Sequence, residues 1–381
     1  MYAPHWSALP NLGMDILSRL ILSVTSPHVG GRLLLALSLI APLAGATLYA
    51  KAAFGRWTWW SLGSGAIAFN GIFFLGFMNF LLGIGVALAG AAAWRIWREE
   101  DRLATPALGG AAISLAAYFC HLFGFAYFAV LVITYEVDAF RLSKRDGVQN
   151  WRRAGSAAAA LGLALVPTFA LFLTTHRPVG GGDRLVWMWQ AKSLGWLAPF
   201  MAYENSLTMF TAVVVGSVVI LVWRDAERAS GALLGFMVLS GLYLTAPSNA
   251  AGGAFVDVRF PLMAALLLFA GLVPRLSLRT ARAIGVIFAL LMLGRSAEVA
   301  VNWRGRARVS PTSELAWPML SRARSFCPSG PPTPPANLQE AVESCRISSP
   351  PSTRTSARLR SSSGRPFGPW YSPTPLSSRW F

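Results

Sequence analysis

Apolar runs of roughly membrane-spanning length alternate along this chain with short stretches that hold most of the charge. The clearest run is Phe74 to Arg98, FLGFMNFLLGIGVALAGAAAWRIWR, which is uncharged from Met78 to Ala93. At about 1.5 Å per residue, Met78 to Trp97 reaches across a hydrocarbon layer about 30 Å thick. Gly83, Ala87 and Ala91 recur every fourth residue and so share one face, where small side chains let a second helix approach closely. Trp94 and Trp97 suit the water interface, and Arg95 and Arg98 stop the helix on a cytoplasmic side.

The same pattern divides the rest of the chain. Asn11 to Ser26 reads as an amphipathic helix with Leu12, Ile16, Leu20 and Ile21 on one side, lying at the membrane surface or packed on the bundle. Gly31 to Ala50 is the first full span. A belt of Trp57, Trp59 and Trp60 follows, leading into a second span that runs to about Phe74. Ala107 to Glu136 is apolar for about thirty residues, too long for one untilted crossing, and predicts two shorter helices that meet near His121. Further spans are Gly155 to Thr175, Leu207 to Trp223, Gly231 to Ala246, one ending near Val273, and Ala283 to about Val301. The count is ten, or nine if the central pair is one tilted helix. Between Thr175 and Asn205 a long loop opens with a glycine run and continues as LVWMWQAKSLGWLAPF, amphipathic and Trp-rich, a segment that suits the interface. The fold class is therefore all-α: a polytopic transmembrane bundle (31–301), preceded by an amphipathic segment on the outer face (1–30) and followed by a disordered tail (302–381).

Charge orients the bundle. Fifteen basic residues fall in alternate loops: Lys51 and Arg56; Arg95, Arg98 and Arg102; Arg141, Lys144, Arg145, Arg152 and Arg153; Arg224 and Arg228; Arg275, Arg279 and Arg282. The opposite loops carry about five: Arg19, Arg177, Arg184, Lys192 and Arg259. By the positive-inside rule the fifteen face the cytoplasm, and both chain ends face outward. No basic start and cleavage site precede that outward N-terminus, which leads us to expect an upstream span.

Composition agrees. Charged residues make up 13% of the chain, against about 25% in soluble domains, and mean hydropathy is +0.50. The net charge of +17 does not point to nucleic acid, because the cations are scattered between apolar runs or gathered in the tail. That tail is rich in Pro, Ser and Arg and cannot bury a core; its composition is also what a shifted reading frame in GC-rich DNA produces. The three cysteines form neither a disulfide framework nor a CxxC site, and no metal site, cofactor motif, HExxH, GxSxG or P-loop is present.

Polar groups at membrane depth are costly and often functional. His121 suits an anionic headgroup, a proton relay, or a neutral interhelical hydrogen bond. Asn70 and Asn79 suit helix caps or interhelical bonds. Asp257 and Arg259 open a span from the outer side; they either pair with each other or divide the work, Arg259 holding a phosphate while Asp257 orients a sugar hydroxyl. Asp183 and Arg184, beside the glycine run, read as a capped flexible loop or as part of the same site. Glu204 is a loop acid or a base.

The segments HWSALPNLGMDIL, FNGIFFLGFMNFLLGIGVAL, YFCHLFGFAYFAVLVITYEV, LAPFMAYENSL and FVDVRFPLMAALLLFAGL together resemble a group of uncharacterised bacterial multi-pass membrane proteins. These are similar to the GT-C class of glycosyltransferases, which use polyprenyl-phosphate-linked sugars as donors. The resemblance covers about residues 5 to 310. It implies a protein of the bacterial inner membrane that takes a sugar from a lipid-linked donor on the outer face, with Arg259 and His121 at the lipid phosphate and Asp257, Asp183 and Arg184 around the substrate. GT-C enzymes carry a catalytic acid in the first outer loop; here Asp15 is the only acid in that region and is not given the role, so the catalytic residue is unassigned. Expected partners are membrane lipid and a polyprenyl-phosphate sugar. The rival readings are a transporter or flippase, and an inactive membrane protein without the first span and catalytic loop.

Overall fold

The computed structural model describes residues 10–99, 103–145, 151–174, 185–250 and 253–309. Asp183, Arg184 and the tail beyond residue 309, all singled out in the sequence, lie outside these residues. The chain is an all-α transmembrane bundle. Its long helices are α1 (Gly13–Leu22), α2 (Pro27–Phe54), α5 (Met78–Glu99), α6 (Ala104–Cys120), α7 (Leu122–Arg145), α8 (Trp151–Thr174), α10 (Asn205–Val222), α11 (Ala232–Thr245), α12 (Arg259–Gly271) and α13 (Leu278–Val309). Short helices α3 (Trp59–Leu62), α4 (Gly71–Phe74) and α9 (Trp189–Gly195) lie between them. Among the described residues, six helices are long and apolar enough to cross a membrane (α2, α5, α7, α8, α10 and α13), and α6, α11 and α12 are shorter apolar helices. The only sheet described pairs β1 (Ala226–Arg228) with β2 (Leu272–Pro274).

Helix α5 lies at the centre, as its small-residue face predicts. Ala87, Leu88 and Trp94 are fully buried, and Ala91 almost so. Gly85 and Gly45 bring α5 and α2 together backbone to backbone. A Cβ on Gly85 would lie 2.5 Å from the Ala41 carbonyl carbon, and one on Gly45 would lie 2.6 Å from the Gly85 oxygen. A backbone clash cannot be relieved by a rotamer change. We therefore expect Gly85→Val to destabilise the bundle by at least about 1–3 kcal/mol, the usual overpacking cost, read as a lower melting temperature in detergent. An unchanged melting temperature would show that α2 and α5 are not packed this closely.

The apolar stretch of about thirty residues divides where expected. Helix α6 ends at Cys120, His121 takes an extended conformation (φ −169°, ψ 140°), and α7 starts at Leu122. The two helices double back on each other. Gly83 of α5 faces Cys120, His121 and Gly124 together, while Gly90 faces Ile113 of α6 and Trp94 donates to Glu136 of α7.

One crossing differs from the sequence reading. Residues 55–77 form no continuous second span; they return through the bundle as α3, a 3₁₀ segment (Gly63–Ile67) and α4. Trp60, read as part of an interfacial belt, is fully buried, whereas Trp57 is 62% exposed. Glycines explain the break. Gly63 sits against Phe269 and Phe288, and Gly65 against the Met292 sulfur, so the backbone passes where a helix with side chains would not fit. Broken backbone at membrane depth is tolerated only when its polar groups find partners within the protein. Asn70 supplies several. Its Oδ1 accepts from Phe73 N–H at 3.0 Å, and its Nδ2 donates to the Ile67 and Ala68 carbonyls at 3.0 and 2.9 Å. Asn79, the other candidate cap, accepts the Met14 amide at 2.8 Å and ties α1 to the start of α5.

The charged ends collect on one face. Glu227 of β1 binds Arg56 at 3.2 Å and Arg275 at 3.9 Å, and Asp138 accepts from Ser230 and Gly231. Deeper on that side, Glu136 accepts from Arg98 at 2.8 Å and from Trp94 at 2.9 Å. His121, Asp257 and Lys192 lie at the other end of the bundle.

Candidate functional site

The site is built where the α6–α7 turn meets the first residue of α12. His121 caps α7 with its own ring: Phe123 N–H donates to Nδ1 at 3.0 Å. A ring whose Nδ1 accepts a hydrogen bond is not doubly protonated, so it is neutral. A neutral imidazole carries one N–H. With Nδ1 accepting, the proton belongs on Nε2, which faces Arg259 Nη1 at 3.4 Å. Two N–H groups therefore face one another across 3.4 Å.

Arg259 is 6% exposed. Its Nη2 donates to the Ala254 carbonyl at 3.2 Å, while its Nε is buried without a partner. The guanidinium is enclosed by aromatic rings, with centroids of Phe77 at 4.5 Å, Phe123 at 5.0 Å and Phe80 at 5.9 Å. Ring faces stabilise a cation but accept hydrogen bonds poorly. The arrangement thus holds a fixed positive charge and unspent N–H donors, and it suits an oxyanion.

Asp257 does not pair with Arg259. Its Oδ2 accepts from Lys192 Nζ at 3.2 Å and from Ser248 Oγ at 2.7 Å, and its Oδ1 accepts from Val258 N–H at 3.0 Å. Lys192 donates in addition to the Tyr243 and Ala246 carbonyls, both at 2.8 Å. Tyr243 returns a hydrogen bond to the Lys192 carbonyl, and its ring packs on Trp196 at 5.1 Å. This buried network fastens the Trp-rich segment to the mouth of α12. Asp257 is thus engaged by Lys192, Ser248 and the Val258 amide.

The structure therefore brings His121 and Arg259 into contact and turns Asp257 away toward Lys192. Reading from sequence missed Lys192, Ser248 and the three phenylalanines. Lys192 did leave a signal, as the single charge within LVWMWQAKSLGWLAPF. No protein-family model matches the chain, and no curated protein or solved structure matches it.

Proposed function

We propose that this chain is an integral protein of the bacterial inner membrane, of GT-C-like architecture, that binds the phosphate of a lipid-linked sugar at the outer end of its bundle as donor for sugar transfer. The observation that carries the reading is the His121–Arg259 contact. Two N–H donors face each other, one on a permanent cation, and a phosphate oxygen accepts from both. The position fits a membrane-borne ligand, because Arg259 is the first residue of α12 and apolar rings surround its guanidinium. The chemistry of an Arg fork also fits: it grips two phosphate oxygens at once, which an ammonium cannot do.

The test is binding of a polyprenyl phosphate to the full chain in nanodiscs. Hydrogen bonds to charged groups contribute about 1.5–3 kcal/mol, so Arg259→Ala should weaken binding by about tenfold to a hundredfold. Arg259→Lys keeps the charge, loses the fork, and should fall between Ala and the parent. Equal binding by both variants and the parent would refute the assignment.

A further inference from the structure

A groove of about 230 Å³ opens at the opposite end of the bundle from His121, between the end of α10 and the α11–α12 pair. Trp223 and Arg228 line it from the α10 side, Leu233 and Phe236 from α11, and Leu267 and Leu272 from α12 and β2. Leu267 and Leu272 are buried, whereas Leu233 is 39% exposed, so the groove is sealed on one side and open on the other. The open side runs into the apolar outer surface of the bundle. Met237, one turn along α11 from Leu233, is 53% exposed, and Ile220 and Leu221 in the last turn of α10 are 77% and 67% exposed. Acyl chains cover such a surface in a membrane.

Arg228 brings a cation to this groove. Its guanidinium lies over the Trp223 ring at 5.0 Å, and its Nη2 donates to the Trp223 carbonyl at 2.9 Å. These contacts hold the side chain in place and use one of its five N–H groups. The residue is exposed, so the rest of the fork is within reach of a ligand. The charge around it has the same sign. Arg56, Arg224, Arg228 and Arg275 gather at the β1–β2 ladder against only Asp225 and Glu227. Glu227 is shared, binding Arg56 at 3.2 Å and Arg275 at 3.9 Å. An interfacial arginine resting on a tryptophan needs no groove beside it. Here the cation and the apolar groove share the same tryptophan.

We infer that this groove binds an acidic phospholipid of the cytoplasmic leaflet. One acyl chain lies against Leu233, Phe236 and Leu267, and the phosphate accepts from the Arg228 fork. Charge selects the occupant. The groove alone would take a chain of any phospholipid, but a zwitterionic headgroup brings its own cation to four arginines, and an acidic one does not. Basic pockets between helices on the cytoplasmic side are places where acidic headgroups bind. The site is separate from the His121–Arg259 contact and does not depend on the sugar-transfer reading.

Native mass spectrometry of the full chain in detergent tests this, with phosphatidylglycerol and phosphatidylcholine as competing probes. The parent should retain phosphatidylglycerol in preference to phosphatidylcholine. Arg228→Ala removes the cation and should weaken that retention by about tenfold. Leu233→Trp fills the groove while leaving Arg228 in place, and it should weaken retention as well. Both side chains are exposed, so neither change disturbs the core. Arg152→Ala removes an exposed cation of α8 that does not line the groove, and it should leave retention unchanged. Equal retention of the two lipids by the parent overturns the inference. So does parent-like retention in either groove variant, or a loss in Arg152→Ala as large as in Arg228→Ala. Polyprenyl-phosphate binding by Arg228→Ala should match the parent; a parallel fall would show that the two lipids share one site and would overturn the separate one.

Discussion

Arg295→Met is expected to lower the melting temperature of the detergent-solubilised protein by about 6 °C or more, from a loss of about 3 kcal/mol. The reasoning starts from the carbonyls. Phe69, Phe200 and Met201 all present partly buried backbone oxygens to this one guanidinium. Phe69 belongs to the broken crossing between α3 and α4, and Phe200 and Met201 end the Trp-rich segment, so the side chain joins two irregular stretches to α13. Each orphaned carbonyl costs about 1–3 kcal/mol once its donor is gone. Methionine returns the desolvation cost of burying a cation, which offsets part of the loss but supplies no donor. Arg295→Lys, with three N–H bonds on a flexible stem, should recover part of the stability. A methionine variant that melts with the parent would show that the carbonyls find other donors and that the broken crossing does not depend on α13.

The spans were legible because lipid imposes one pattern on them. The uncharged run from Met78 to Ala93 needs no tertiary information to be read as a crossing, and the break at His121 was visible because thirty apolar residues exceed the thickness of a bilayer. The stretch from the Trp belt to about Phe74 reads as a continuous span because its composition matches that of a helix. The warning lay in Gly63, Gly65 and Gly71, whose meaning depends on Phe288, Met292 and Met201 lying against them. Arg295 was passed over although it and Glu298, the two charges within the apolar run of α13, are themselves a signal. The His121–Arg259 contact joins residues 138 positions apart, and nothing local encodes it. Each residue was legible alone as an expensive polar group, but their meeting was not. Asp257 was misplaced for the opposite reason. A carboxylate two residues from an arginine invites a local pair, whereas this one turns to a lysine 65 residues upstream.

The Lys192–Asp257 pair yields the second large effect. Both side chains are 6% exposed, so removing one partner leaves a buried charge uncompensated, at a cost of about 3–5 kcal/mol. Lys192→Met should be the harsher change. It leaves Asp257 with only Ser248 and the Val258 amide, and it leaves the Tyr243 and Ala246 carbonyls without their donor. Asp257→Asn retains the shape and the acceptor, so it should cost less. The double variant should be more stable than the sum of the two losses predicts, by about 1 kcal/mol or more, because the uncompensated charge is gone. Two measurements check this: melting temperature across the four proteins, and limited proteolysis within residues 185–203, the segment that Lys192 holds down. The same series shows what Asp257 does for the site. As a positioning group it fixes the turn before α12, and with it the Ala254 carbonyl that Arg259 Nη2 engages. Its loss should then lower stability and polyprenyl-phosphate binding together, and the double variant should regain part of both. An Asp257→Asn protein that melts like the parent but no longer binds lipid would instead place Asp257 in direct contact with the ligand.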